Sequence, residues 1–249
     1  MPERGFVART SRALRWEGCC NIRDLGGLPT QDGSETRFGV VVRADDVTLL
    51  SPGGWEALAG YGVRRIVDLR HEDPPYDAPV EVVRVPLFDA ASFRDVDELL
   101  AAESDPVAWR RQNYLFFLER FSHAFAAAAT AVAAPPEGTV LVHCAGGVDR
   151  TGLVAALLLR VAGVGIETIA EDYAESEANW APSAENWIED APDEAERRKR
   201  RLLAVMPAAA MRDALAEVER RHGTARDYLL HGRADDERLE RLRERLRGG

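Results

Sequence analysis

Apolar positions along this chain gather into four short continuous runs separated by longer mixed stretches. Residues 38–43 (FGVVVR), 63–70 (VRRIVDLR), 80–88 (VEVVRVPLF) and 138–143 (GTVLVH) are rich in β-branched residues, and each predicts a strand. The last is almost wholly apolar, as expected of a strand buried on both faces at the centre of a sheet. Ser51-Pro52 pairs an N-cap residue with a proline at the first helical position, so a helix should start there and run to about Tyr61. Residues 92–103 and 106–133 predict two further helices, the second stopped by Pro135-Pro136. The run GLVAALLLRVAG at 152–163 is apolar nearly all round and predicts a buried helix. Residues 166–178 predict another, and the chain from about 183 to 247 reads as almost entirely helical and highly charged.

Strands alternating with helices over the first two thirds predict an α/β fold with a central, mostly parallel sheet flanked by helices. The length suits one domain over residues 1–249, with a helical insertion at 89–135 and a helical C-terminal region at 183–249. Two short stretches read as irregular. Asp24-Leu25-Gly26-Gly27 predicts a turn, and HEDPPYDAP at 71–79 a loop. The best candidate linker is Asp190-Ala191-Pro192-Asp193.

Charge and composition narrow the function. The 249 residues carry 42 acids against 32 bases, a net charge of −10, which argues against a nucleic-acid partner. Nothing resembles a 20-residue apolar span, so no stable membrane insertion is expected. The first 18 residues lack the apolar core of a signal peptide, and a cytoplasmic protein is the expectation. The three cysteines, Cys19, Cys20 and Cys144, are an odd count without a CxxC pair. They predict neither a disulfide framework nor a structural zinc site, and leave Cys144 as a candidate reactive thiol.

The chemistry concentrates in HCAGGVDRTG, residues 143–152. A buried strand ends at His143, a tight loop runs from Cys144 to Arg150, and a buried helix follows from about Thr151. Such a loop aims backbone N–H groups and the positive end of the helix macrodipole at one point, which is an anion site. Gly146 and Gly147 let the backbone of Ala145, Gly146, Gly147, Val148, Asp149 and Arg150 wrap a phosphate closely. A thiol at a helix N-terminus beside an arginine is expected to ionise readily and act as a nucleophile. Arg150 can grip two phosphate oxygens at once. Thr151 can donate its hydroxyl to the sulfur.

This segment resembles the phosphate loop of cysteine-dependent protein-tyrosine phosphatases. More narrowly it is similar to that of the atypical bacterial tyrosine phosphatases, HC-x-x-G-K-D-R-T-G. NIRDLGG at 21–27, GVRRIVDLRHED at 62–73, EDYAESEAN at 171–179 and the stretch from Met211 to Leu229 resemble further segments of that family, in the same order. The resemblance implies a two-step mechanism without metal or cofactor, and phosphotyrosine in proteins or peptides as substrate. Cys144 would form a phosphocysteine while a carboxylic acid protonates the leaving oxygen, and water would then release phosphate. Asp149, inside the loop, is the favoured acid, with Asp89 after the strand 80–88 as the alternative. The family's lysine is replaced here by Val148. One cation should thus be missing from the loop rim, weakening action on multiply phosphorylated substrates such as phosphoinositides.

Other residues carry two readings. Asp68, Arg70 and Arg23 could line the cleft, or serve as an ion pair and turn. His143 could orient the loop, or be a buried histidine bonded to backbone. Cys19-Cys20 could be a redox partner of Cys144, although vicinal cysteines are poorly placed to bridge. The run Arg197–Arg201 could meet acidic lipid, or form a solvated helix face balanced by the acids at 189–196. Met206 and Met211 read as core. The functional readings are a protein-tyrosine phosphatase, a phosphoinositide or dual-specificity phosphatase, and a non-catalytic phosphopeptide-binding module.

Overall fold

A computed structural model of the chain describes residues 11–71, 76–99, 102–133 and 137–247. The start of the chain to residue 10, the middle of the loop expected at 71–79, and the Pro135-Pro136 helix stop lie outside these residues.

The sheet has five strands, β1 (Arg23–Asp24), β2 (Val41–Ala44), β3 (Val63–Asp68), β4 (Glu81–Arg84) and β5 (Thr139–His143), in the order β1-β2-β5-β3-β4. All neighbours pair in parallel except β1 with β2. The expected α/β architecture with a mostly parallel sheet is present, and β5 lies in its middle, wholly buried. β4 is shorter than the apolar run 80–88. Pro86 has no N–H for a ladder and falls beyond the paired residues.

Residues of alternate strand positions enter two separate cores. Val140 and Val142 join Val41, Val67 and the helices on one face, whereas Leu141 joins Val42, Ile66 and Leu58 on the other. This is the period-two rule of a strand applied at the sheet's centre. Each such aliphatic side chain, wholly buried, contributes about 1.5–3 kcal/mol.

α1 (Pro52–Tyr61) covers the smaller core, and its ends are those predicted. Ser51 caps it by accepting from the Gly54 N–H, and Gly62 closes it in the left-handed conformation at φ 91°. α2 (Ala90–Leu99), α3 (Pro106–Arg120) and α4 (Ser122–Ala133) follow β4. The long helix expected over 106–133 is thus two helices, broken at Phe121.

Beyond β5 come α5 (Asp149–Val161), α6 (Ile166–Glu189), α7 (Glu194–Ala204), α8 (Ala208–His222), α9 (Ala225–His231) and α10 (Asp236–Arg247). α6 runs eleven residues past the expected end at 178, through Pro182. A proline there removes one intrahelical donor, but Ala178, whose carbonyl loses it, is exposed to water. Asp190–Asp193, the linker candidate, is the break between α6 and α7. The charged C-terminal region still contributes core. Leu239, Leu242 and Leu246 of α10 are buried, and the buried Tyr228 donates to the Leu118 carbonyl at 2.8 Å. Met206 and Met211 are buried as expected. Among the described residues no helix is long and apolar enough to cross a membrane.

Candidate active site

The C-terminal ends of β2, β5 and β3 converge, and the chain leaving β5 turns there through Cys144–Val148 into α5. This is the edge at which parallel sheets place ligands. Val148 is the N-cap of α5 and offers no capping side chain, so no side chain of its own shields the helix N-terminus.

Three successive loop carbonyls are held from outside. Ala145 O accepts from the Asp46 N–H at 2.9 Å. Gly146 O accepts from Asn21 Nδ2 at 3.1 Å and from Trp180 Nε1 at 3.0 Å. Gly147 O accepts from Arg43 Nη2 at 2.8 Å. With the carbonyls committed to surrounding protein, the peptide N–H groups on their opposite sides are free to face the loop's interior. Gly147 adopts φ 64°, and a Cβ there would sit 2.6 Å from Ala44 O, so the loop is wedged against the end of β2.

Cys144 is buried at the loop's start, and Arg150 is half-buried in the first turn of α5. Thr151 is wholly buried, but its Oγ1 has no hydrogen-bond partner among the described residues. The expected hydroxyl–sulfur bond is therefore not made in this state.

The two acid candidates differ sharply. Asp89 accepts from Ser92 N at 2.8 Å and Ser92 Oγ at 2.5 Å, which caps α2. Those bonds hold its exposed carboxyl below the ordinary aspartate value. Asp149 is the first residue of α5. Its Oδ1 accepts from Arg110 Nη1 and from the Tyr114 hydroxyl at 2.8 Å, while Oδ2 has no partner among the described residues. Tyr114 also lies 2.7 Å from the Tyr173 hydroxyl. The Tyr114 hydroxyl is placed to donate to either group, and its one proton serves one of them at a time.

Arg23 lines a cavity of about 540 Å³ with Cys19, Cys20, Glu175 and Asn179, although its own side chain is nearly covered. It is buried, with Nε 3.0 Å from Asp172 Oδ1 and Nη2 3.1 Å from Ser176 Oγ. Arg43 reaches Asp172 Oδ2 at 2.8 Å, and Arg12 bonds the same carboxylate. Burial alone would raise Asp172, but Arg23, Arg43 and Arg12 hold it well below the ordinary range. Burial and the neighbouring Arg23 bring Arg43 down to about 10, which leaves it cationic at neutral pH. One buried carboxylate thus anchors the arginine that grips the loop.

Arg70 likewise belongs to an ion-pair network. It bonds Asp68 through Nε at 3.0 Å and Nη2 at 3.1 Å, and Asp46 through Nη1 at 2.8 Å. Burial pushes Asp68 up, but the bonds from Arg70 prevail and hold it below its ordinary value. His143 Nδ1 lies 3.1 Å from Cys144 O, and Nε2 lies 3.1 Å from the Tyr76 hydroxyl. Burial lowers its pKa, so the ring is neutral and orients backbone.

Val148 corrects a sequence expectation. Its side chain is 5% exposed and packs in the main apolar core, so this position is not an open rim from which a cation is missing. Arg197, Arg200 and Arg201 of α7 pair with Glu194 and Glu196, as a solvated helix face does. Sequence reasoning missed Arg43, Arg110, Tyr114, Asp172 and Trp180 as loop neighbours. The DY pair at 172–173 was visible only as part of the family resemblance.

The sequence profile of a tyrosine phosphatase family matches residues 14–248. A Cupriavidus necator protein provisionally named a tyrosine-protein phosphatase is 31% identical over 172 residues, covering 66% of this chain and 62% of that protein. A tyrosine-protein phosphatase of Nostoc commune is 31% identical over 140 residues, covering 53% of this chain and 47% of that protein. The chain thus spans about half to three fifths of the length of these relatives.

Proposed function

The chain belongs to the tyrosine phosphatase family, and from that premise we propose that it hydrolyses phosphate monoesters, chiefly protein phosphotyrosine, through a phosphocysteine on Cys144. The observation that carries this reading is the loop whose three carbonyls are tied outward at the start of α5, with Cys144 and Arg150 at its two ends. Peptide N–H groups and a guanidinium preset around one point stabilise the charge that develops on a transferring phosphoryl group.

In the first step the Cys144 sulfur, as thiolate, bonds to phosphorus and the phosphorus–oxygen bond of the ester breaks. The departing oxygen takes the proton carried by Asp149 Oδ2, the carboxylate oxygen without a partner among the described residues. In the second step Asp149 accepts a proton from water, whose oxygen displaces the sulfur and releases phosphate. Arg150 and the loop N–H groups hold the equatorial oxygens throughout.

The test is turnover of an aryl phosphate with vanadate inhibition, followed by a panel of phosphotyrosine peptide, phosphoserine peptide and phosphoinositide. Vanadate-sensitive turnover with a preference for phosphotyrosine is expected, and Cys144→Ser should abolish turnover while retaining phosphate binding. Phosphate binding with no turnover of any panel member would make the chain a binding module instead.

A further inference from the structure

One buried guanidinium joins the loop to an outer helix. Arg110 on α3 is wholly buried. Its Nη1 bonds Asp149 Oδ1, and its Nη2 donates to the carbonyls of Leu203 at 2.6 Å and Val205 at 2.8 Å. Those carbonyls lie at the C-terminal end of α7, where a helix has unpaired acceptors and the negative end of its dipole. Burial pushes the Arg110 guanidinium down, but Tyr173, Asp149 and Tyr114 outweigh it and raise the group above its ordinary value.

α7 is otherwise held at its surface. None of its residues is fully buried, although Leu202 and Leu203 pack against the main core, and Arg198 Nη2 donates to Glu103 O at 3.1 Å and Arg200 Nη1 to Trp187 O at 2.5 Å. Many of its charges pair with each other, as Arg197 with Glu194 and Arg200 with Glu196. Just past its end the Met206 N–H donates to Glu177 Oε2 at 2.7 Å. Arg110 is thus the buried side chain among the ties that fix the end of α7.

We infer that Arg110 is a positioning residue that couples the docking of α7 to the orientation of the Asp149 carboxylate. The inference rests on the reading of Asp149 as the proton donor. One rigid, planar group meets both partners, so displacement of either loosens its grip on the other. A free-energy link of this kind is reciprocal: the state of Asp149 acts on α7 as α7 acts on Asp149. The ionisable groups bonded to Asp149 are Arg110 and Tyr114 from α3, with Tyr173 of α6 behind Tyr114.

Two measurements test it. The first is hydrogen–deuterium exchange of residues 194–205 in the full chain, wild type against the isosteric Asp149→Asn. Loss of the carboxylate charge should speed exchange there several-fold, and unchanged exchange would overturn the coupling. The second is the split between kcat and KM of Arg110→Met on an aryl phosphate. Loss of the group that holds Asp149 Oδ1 should lower kcat several-fold and leave KM nearly unchanged. A folded Arg110→Met enzyme with wild-type kcat would overturn the positioning role. The exchange measurement needs no turnover. Faster exchange in a protein without phosphatase activity would sink the proposed function and leave the coupling standing.

Discussion

Replacing Asp172 by asparagine should cost about 3–5 kcal/mol of folding free energy. The carboxylate is 2% exposed and faces two buried arginines, Arg23 at 3.0 Å and Arg43 at 2.8 Å, as well as Arg12. Unit charges about 4 Å apart attract by about 4 kcal/mol at an effective dielectric constant of about 20. Two such attractions lost exceed the desolvation regained by making the side chain neutral, and asparagine leaves Arg43 without a carboxylate partner among the described residues and Arg23 with only the half-exposed Glu175 at 3.5 Å. The surface pair Glu167–Arg212 supplies the control, since its side chains are 66% and 41% exposed. Glu167→Gln should leave the stability close to that of wild type. Urea unfolding at pH 7, extrapolated linearly to water, measures both. The loss should also reach the loop, because Arg43 links Asp172 to Gly147 O. Vanadate should therefore bind several-fold more weakly to Asp172→Asn. An Asp172→Asn protein within about 1 kcal/mol of wild type would refute the claim that this carboxylate neutralises a buried cationic cluster.

Gly147→Ala should destabilise by about 2–4 kcal/mol, from a left-handed backbone and a Cβ 2.6 Å from Ala44 O, and a denaturation midpoint equal to wild type would contradict the wedged loop. Val148→Lys should lower the thermal midpoint by several degrees, because a buried valine site must take an ammonium group; an unchanged midpoint with raised activity on multiply phosphorylated substrates would restore the rim reading. Stability should fall in acid in two stages. His143 and His222, both lowered by burial, stay neutral when folded and charge on unfolding, so their contribution is full above about pH 6.5 and declines below it. Asp68 and Asp172, held below their ordinary values, add a second loss below about pH 4. Chemical denaturation across pH should show both stages, with His143→Gln flattening the first; a wild-type curve flat from pH 7 to 5 would contradict the assignment.

The parts of the site that lie together in sequence were legible, and those assembled by long-range contact were not. The start of α1 could be placed to the residue because Ser51 and Pro52 signal it locally. The loop from Cys144 to Arg150 could be read because strand, glycines and helix are contiguous. Arg43 and Arg110 reach that loop across 104 and 39 residues, and neither stands out among the chain's many arginines. Trp180 escaped for another reason. It lies on the part of α6 beyond residue 178, where nothing local shows that the helix will carry on through Pro182 to bring an indole over Gly146. Val148 was misplaced because a residue type alone does not say which way a loop side chain points.

The most direct test of the account is a rapid acid quench during turnover of an aryl phosphate, followed by peptide mass spectrometry. The account predicts one phosphoryl group on the peptide containing Cys144, absent in Cys144→Ser. Turnover that continues in Cys144→Ser with no label on that peptide would contradict it.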